Sequence, residues 1–195
     1  MSRVRVDGLA ICAVLVWLLT ACSRTPSVDW SAKENFFVHE ASQDTPEGAR
    51  LEFHSLVDAP ALQVYRALAD AEEYARFVDG VSASSLVSSE GNTKVTQITE
   101  TVIGRQSRAQ VKWTLHPDEM RIDFQTLKSD QNYNDGSYRI FPSPDGKRCY
   151  VVSVFQVKEQ GAPQNVPLGV LKAATRESFE RAARSVKQQA LTPKA

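Results

Sequence analysis

Apolar and polar residues recur in this chain with two different periods, one typical of strands and one typical of helices. Residues 51–56 alternate with a period of two, which predicts a strand with one buried face. Asp58-Ala59-Pro60 ends that strand, and proline suits the first turn of a helix. A helix then follows, and a second short helix is predicted over residues 71–78, closed by Asp79-Gly80. The apolar face of the first helix consists of Ala61, Val64, Tyr65 and Leu68.

Further stretches with strand character follow, and the chain ends in one long helix. The strand stretches are residues 93–102, 106–115, 120–125, 138–141 and 148–158. A hairpin joins the last two, with its turn at Pro144-Asp145-Gly146. In residues 167–190, Leu171, Phe179 and Val186 share one face of a predicted helix.

A single antiparallel sheet with one apolar face needs a cover, and only the C-terminal helix is large enough to supply it. The pattern therefore predicts an α+β fold in which a curved antiparallel sheet wraps around the long C-terminal helix. Two short helices follow the first strand. A strongly curved sheet leaves a hollow between itself and the helix.

The N-terminus has the pattern of an export signal. Arg3 and Arg5 precede an apolar run of eleven residues from Leu9 to Leu19. A helix that crosses a bilayer needs about 20 residues, so the run is too short to be a membrane span. A short apolar run behind a basic start predicts a secretory signal that is removed from the mature protein.

Leu19-Thr20-Ala21-Cys22 resembles the lipobox of bacterial lipoproteins. The resemblance implies cleavage before Cys22, a diacylglycerol on its sulfur and a further acyl chain, such as palmitate, on the new amine. Ser23 in place of Asp implies an outer membrane location facing the periplasm of the cell envelope. The alternative is an ordinary signal peptide with a chance cysteine. We predict a signal at residues 1–21 and a lipidated N-terminus with a polar flexible tether at 22–49, in which residues 35–39 could form a short edge strand.

Composition narrows the possible partners. The chain has 23 basic and 23 acidic residues, and loss of Arg3, Arg5 and Asp7 with the signal leaves 21 and 22. A net charge of −1 gives no support to nucleic-acid binding, which needs a basic face. Cys12 leaves with the signal and Cys22 is acylated, so Cys149 has no partner for an intrachain disulfide. The expected partners are a membrane, through the lipid anchor, and a ligand; protein partners stay open.

The predicted domain, residues 50–190 with a tail at 191–195, resembles a known superfamily. The similarity extends over about Leu51 to Gln189. It resembles the START-like, or helix-grip, superfamily, and most of all its polyketide-cyclase and coenzyme-Q-binding-protein branch. The residues that carry it are Asp58-Ala59-Pro60, Val64, Tyr65, Leu68, Asp70, Tyr74, Phe77, Gly80-Val81 and Gly136-Ser137-Tyr138. Tyr65 and Phe77 depart from the family's frequent tryptophans, and Asp79 departs from its proline.

This resemblance implies a hydrophobic cavity between sheet and helix that holds a lipid, sterol, polyketide or quinone-like molecule. It implies no universal catalytic residue, because most members bind and only some catalyse. The alternative is a closed, solid core, which composition does not separate from a cavity. The candidate lining residues are Phe77, Trp113, Phe124, Phe155, Leu171, Thr175 and Phe179.

Residues with catalytic or metal-binding chemistry are scattered. His39, His54 and His116 lie in different elements without the spacing of metal ligands. Cys149 has no base near it in sequence to form a thiolate. No Ser lies in a Gly-x-Ser-x-Gly motif. We therefore predict no catalytic residue, no metal and no cofactor.

Two weaker sequence patterns each allow a functional and a purely structural interpretation. Asp130, Asn132 and Asn134 have the first spacings of a calcium loop, but Gly136 comes one place late and Phe141 replaces the closing Glu. We therefore favour a polar loop between strands. Another set, Glu100, Arg105 and Arg108, could contact a ligand head group or be solvated strand residues, and we favour solvation.

The leading hypothesis is a non-enzymatic module that binds a lipid or other hydrophobic molecule at the periplasmic face of the envelope. One alternative is a cyclase, dehydratase or hydrolase that acts on a hydrophobic substrate. Another is a protein-interaction module with a vestigial cavity.

Overall fold

A computed structural model describes residues 26–102, 104–130, 133–158 and 167–192. The predicted signal, Cys22 and the last three residues lie outside this part of the chain. The strands are β1 (Asn35–Thr45), β2 (Gly48–Val57), β3 (Val81–Glu90), β4 (Thr93–Val102), β5 (Arg105–His116), β6 (Arg121–Ser129), β7 (Tyr133–Pro142) and β8 (Cys149–Lys158). The helices are α1 (Ala61–Ala69) and α2 (Leu168–Leu191), with 3-10 helices at Ala71–Arg76 and Pro117–Glu119. No helix among the described residues is long and apolar enough to cross a membrane.

The eight strands form one antiparallel sheet in the order β1-β2-β8-β7-β6-β5-β4-β3. Its inner face packs against α2, whose buried residues include Leu171, Thr175, Phe179 and Val186. The predicted architecture is confirmed: a curved sheet wraps around a long C-terminal helix. The helix begins right after Pro167, as the sequence predicts.

The first helix forms where the spacing predicts it, and its apolar face is buried. Val64, Tyr65 and Leu68 on α1 are all buried. The second short helix is a 3-10 helix over Ala71–Arg76. Its Tyr74 hydroxyl donates to the Leu68 carbonyl at 2.7 Å, which links the two helices.

Strand β1 lies within the segment predicted as a tether, begins where a short edge strand was considered at residues 35–39, and extends further, to Thr45. This strand of 11 residues pairs with β2 along almost its whole length. Phe36 is its one fully buried residue, so both faces are mostly polar and no alternation is visible in the sequence. Ion pairs of Glu40 with Arg176 and of Asp44 with Lys172 join the strand to α2. The domain therefore includes Asn35, and the predicted tether is shorter than expected.

The segment before β1 is also held on the domain. Arg148 at the start of β8 donates to the carbonyls of Trp30 at 2.5 Å and Ala32 at 2.9 Å, and pairs with Asp58. From the other side, Lys187 on α2 pairs with Glu34 at 2.5 Å. The chain is thus attached to the domain from about Trp30 onward.

Strand β3 is absent from the sequence-based prediction. It is rich in serine and exposed over most of its length at the free edge of the sheet. Its position comes from pairing with β4 and from Ser84, whose Oγ donates to the Glu72 carbonyl of the 3-10 helix at 2.7 Å. These backbone contacts leave no periodic signature in the side chains.

Candidate ligand-binding cavity

The space between α2 and the sheet is a cavity of about 190 Å³. Its floor comes from inward-facing residues of β4 to β8, and its roof from the N-terminal half of α2. Period-two alternation places these side chains inside, because every second residue of a strand faces the helix. The sheet's curvature holds the two surfaces apart over this region, so the core is not solid there.

Aromatic rings form most of the cavity wall. Trp113, Phe124, Tyr138 and Phe155 lie in a chain of ring contacts with centroid distances of 5.3 to 6.0 Å. The indole Nε1 of Trp113 donates to the buried Thr96 hydroxyl at 2.8 Å. This bond satisfies the one polar atom of the ring and leaves the rest of it as apolar wall.

The structure places six of the seven predicted lining residues on this wall: Trp113, Phe124, Phe155, Leu171, Thr175 and Phe179. Phe77 is not on it. The 3-10 helix ends one residue before, and the Phe77 ring packs edge-on against Tyr74 at 5.6 Å. Tyr74 lines the cavity instead. Whether these residues contact a ligand stays a prediction.

Glu100 is the carboxylate of the cavity wall. It lies on β4 between Val81 and Ser107 of the neighbouring strands, and all three line the cavity. The favoured interpretation of Glu100 as a solvated residue is therefore wrong, whereas Arg105 and Arg108 are exposed as expected. The spacing from the buried Ile98, two residues earlier on the same face, was the signal that could have placed it inside.

The electrostatics of the wall favour protonated groups. Desolvation raises the pKa of Glu100, and the positive charge of Arg181 on α2 opposes that shift. Burial also raises the pKa of Tyr138 far above its ordinary value, with a smaller contribution from the Glu100 charge. A carboxyl group and a hydroxyl group whose pKa values are both raised thus share an otherwise largely apolar chamber.

An outer groove lies beside the N-terminal half of α2. It is lined by Thr101, Gly104 and Arg181 and shares Ala174 and Ser178 with the cavity. These two small, half-buried residues therefore lie between the cavity and the groove. Glu100 directly precedes Thr101 of the groove, but neighbouring residues of a strand face opposite sides, and only Glu100 lines the cavity.

A second, smaller hollow of about 40 Å³ lies farther along α2, towards its C-terminus. It is lined mainly by apolar residues of α1, β2, β8 and α2. Tyr138, Phe179 and Ala182 line both spaces and so form the partition between them.

The histidines lie outside the cavity, on the outer face of the sheet. The Nε2 atom of His54 is 2.7 Å from Glu52, and its Nδ1 atom is 2.9 Å from the Tyr150 hydroxyl. The Nε2 atom of His116 is 3.0 Å from Asp123. Among the described residues, no group of three His, Cys, Asp or Glu side chains is arranged to hold a metal ion.

Cys149 is fully buried at the start of β8. Burial, and secondarily the charge of Glu34, raises the pKa of its thiol to about 12. A thiol with this pKa forms almost no thiolate near neutral pH, so the residue behaves as a small apolar side chain.

Asp130 and Asp135 belong to the segment whose spacing resembles a calcium loop, and both contact residues of neighbouring strands. The Oδ1 atom of Asp130 accepts from the Arg108 amide at 2.9 Å. Asp135 accepts from the Thr126 amide and pairs with Lys158 at 2.7 Å. Asn132 lies outside the described residues, and Asn134 belongs to β7 rather than to a loop.

Comparison with known proteins agrees with this geometry. The family model of polyketide cyclase/dehydrase and lipid transport matches residues 57–184. An aromatase/cyclase, Zhui from Streptomyces sp. R1128, superposes with a TM-score of 0.64 at 20% identity, covering 72% of this chain and 92% of its own. A STAR-related lipid transfer protein from Xanthomonas axonopodis gives a TM-score of 0.60 at 11% identity, covering 77% and 92%. No curated protein is significantly similar in sequence.

The two solved structures share only low identity with the chain, so they establish the fold alone. The family model extends over well over half of the sequence, from the end of β2 into the second half of α2. It thus includes the aromatic wall and Glu100. The chain belongs to the polyketide cyclase/dehydrase and lipid transport family.

Proposed function

We propose that this domain binds a lipid or another hydrophobic small molecule in the cavity between the sheet and α2. The observation that carries the proposal is an aromatic-walled chamber of about 190 Å³ between the sheet and α2. Burial of apolar ligand surface there is favourable by about 25 cal/mol per Å². The few polar groups, with Glu100 foremost, would fix the orientation of the ligand.

The names of related proteins support binding as the common property. The family description includes lipid transport, and the Xanthomonas structure is called a lipid transfer protein. A cavity for an apolar molecule is what a lipid carrier and a cyclase both need. The proposal therefore extends ligand binding, the property common to both, to this chain.

We further propose that the protein is a lipoprotein of the cell envelope, anchored through Cys22. The support is the sequence alone: a basic start, a short apolar run and the Leu19-Thr20-Ala21-Cys22 motif. Two or more acyl chains make such an anchor stable, since each buried methylene contributes about 0.8 kcal/mol.

An enzyme that moves protons on a hydrophobic substrate is the second candidate. Glu100 favours it, because a carboxyl group with a raised pKa in the wall of a cavity is suited to general acid–base chemistry. Its neighbour Tyr138 has a hydroxyl that could hold a carbonyl oxygen of the substrate. Cys149, His54 and His116 do not contribute to this candidate, because none of them lines the cavity.

The test is native mass spectrometry of the whole chain purified from cells, followed by extraction and identification of any bound molecule. We expect an apolar ligand in one-to-one ratio with the protein. Replacing Trp113 by Ala should lower its occupancy, whereas replacing the exposed Lys147 by Ala should not. A ligand-free protein that also takes up no neutral fluorescent apolar dye would contradict the proposal and favour the interaction-module alternative.

A further inference from the structure

Asn134 has a buried side-chain oxygen in the wall of the cavity. The residue lies near the start of β7. Its backbone is fixed by Thr126 of β6, whose Oγ1 donates to the Asn134 carbonyl at 2.8 Å and accepts from the Asn134 amide at 3.1 Å. The side-chain Oδ1 atom, however, has no hydrogen-bond partner in the part of the chain that the structure describes. Buried acceptors in native proteins nearly always have a partner, so we expect the donor for this one to come from the cavity.

Three hydroxyl groups of the cavity wall already donate to protein acceptors. The Oγ1 atom of Thr175 donates to a carbonyl one turn earlier in α2 at 2.9 Å, and the Oγ atom of Ser107 donates to the Asp130 carboxylate at 3.2 Å. The third is Thr126, which donates to the backbone of Asn134. A hydroxyl group has one proton, so none of the three has a proton left for the Oδ1 atom of Asn134.

The cavity wall is unsuited to a negatively charged ligand. Among the described residues that line it there is no Lys, Arg or His. Desolvation raises the pKa of Glu100 despite the nearby positive charge of Arg181, so the wall disfavours even its own carboxylate. Burial of an unpaired anion is costly, and a ligand carboxylate or phosphate would add a second negative charge. Anionic lipids are therefore a poor match to this cavity.

Aromatic rings lie directly beside the acceptor. Gly136 is the next residue on the same face of β7, and it pairs with Phe124 on one side and Phe155 on the other. Both rings belong to the cavity wall. A ligand whose polar group reaches Asn134 therefore has an apolar surface next to it for the rest of the molecule.

We propose that the cavity selects an uncharged molecule with a hydroxyl group, and that this hydroxyl donates to the Oδ1 atom of Asn134. The proposal rests on the proposed binding function and specifies its ligand class. A molecule without the donor leaves the buried oxygen unpaired, so it is rejected more strongly than the loss of one hydrogen bond alone would require.

The experiment compares three small molecules that share a para-ethylphenyl body and differ in one group. A cavity of about 150 Å³ in another protein holds benzene, so one of about 190 Å³ has room for a substituted ring. The molecule para-ethylphenol has a hydroxyl donor, para-ethylanisole has only an acceptor, and para-ethylbenzoate is an anion near neutral pH. Their affinities are measured by displacement of a neutral fluorescent dye from the whole chain.

For the wild type we expect the phenol to bind at least about five-fold more tightly than the anisole, although the anisole is more apolar. The benzoate should bind at least about ten-fold more weakly than the phenol, because its charge has no partner in the wall. This ranking tests the proposal without any substitution.

Asn134→Leu replaces the acceptor by an apolar side chain of similar size. The advantage of the phenol over the anisole should fall below about two-fold, while the affinity for the anisole should not fall. Since the substitution removes a buried oxygen without a partner among the described residues, the ligand-free variant should unfold at no lower temperature than the wild type. Asn92→Leu is the matched control, because Asn92 is exposed in the turn between β3 and β4, and it should keep the wild-type preference.

An anisole or a benzoate that binds the wild type as tightly as the phenol would overturn the proposal, as would an undiminished preference for the phenol in Asn134→Leu. A ligand extracted from the purified protein that is anionic, or that has no hydroxyl group, would reject this ligand class and leave the binding function standing. A protein that takes up no apolar dye and contains no ligand would contradict the binding function itself.

Discussion

Glu100 shows how one residue can change the interpretation of a site. Its charge suggests a solvated position, but its place in β4 puts it on the inner face together with Ile98. The sequence alone identified the apolar wall, because aromatic residues are typical of a buried core. It left Glu100 open between a ligand contact and a solvated residue and favoured solvation, because the face of β4 on which a charged residue lies is not known until the register of the strands is known.

The raised pKa of Glu100 has a consequence for stability. The folded state binds the proton more tightly than the unfolded chain does, so stability decreases as pH rises from the ordinary glutamate pKa through the raised one. Glu100→Gln removes this penalty. We expect the variant to unfold at a higher temperature than the wild type near pH 7, and the difference to vanish towards about pH 4, where both side chains are neutral.

Thermal unfolding monitored by circular dichroism over this pH range gives the comparison. Glu90→Gln, which alters an exposed carboxylate at the end of β3, is the control and should show no such trend. A Glu100→Gln variant less stable than the wild type at neutral pH would mean that the charged carboxylate is stabilised by Arg181 more than it is penalised by burial.

Gly136 is a position where β7 has no room for a side chain. A Cβ atom there would lie 2.0 Å from the Val154 carbonyl oxygen and 2.6 Å from the Phe124 ring. Gly136→Ala should therefore lower the free energy of unfolding by about 1–3 kcal/mol and shift the aromatic wall. Urea denaturation measures the loss. Gly169→Ala on α2, where a Cβ meets nothing within 4 Å, should cost nothing, and an equal loss in both variants would contradict the steric explanation.

At the scale of whole elements, the sequence predicts the strands and helices that bury one face and expose the other. Residues 106–115 and α2 were predicted because their apolar residues recur with the right period. Strands β1 and β3 form the two edges of the sheet and are polar on both faces. Their backbone hydrogen bonds come from the next strand along the chain, β2 and β4, and backbone pairing alone leaves no periodic pattern in the side chains.

Arg148 is the contact that attaches the segment before β1 to the rest of the domain. It satisfies the carbonyls of Trp30 and Ala32, and hydrogen bonds to a charged donor contribute about 1.5–3 kcal/mol each when well formed. Arg148→Ala should release this segment without unfolding the sheet. We expect amides of residues 30–34 to exchange with deuterium at least about ten-fold faster, while those of β8 keep their protection.

Hydrogen exchange read by mass spectrometry resolves the two regions. Lys147→Ala, one residue earlier and exposed, should leave the exchange of residues 30–34 unchanged. Uniformly faster exchange across the sheet in Arg148→Ala would instead indicate that the arginine supports the whole domain.

At the scale of the whole molecule, the helix-grip architecture followed from one requirement: a single amphipathic sheet needs a single long cover. The residues that carry the family resemblance lie mostly at turns and on α1, where local geometry restricts the choice. The sequence does not predict the volume of the interior or its division into two spaces. Both depend on how far the sheet curves and on how the phenylalanine rings of the core pack. No periodicity encodes those distances.

The proposed anchoring also concerns the whole molecule. Cys22→Ala should abolish lipidation and leave an unprocessed precursor or a protein that partitions into the aqueous phase. Detergent phase partitioning and metabolic labelling with palmitate measure the two outcomes. A mature, membrane-bound and labelled product from the variant would refute lipidation at Cys22.

The attachment of Trp30 by Arg148 limits how far an anchored domain could travel. Trp30 lies eight positions after Cys22, and a fully extended chain covers at most about 3.6 Å per residue, or about 29 Å. A domain of this size is itself about 30–40 Å across. With Cys22 held in a bilayer, the segment that connects it to Trp30 is therefore no longer than the domain is wide. A protein anchored in this way can reorient on its own membrane, but it cannot carry a ligand to a second membrane. Any onward delivery would require an acceptor that comes to it.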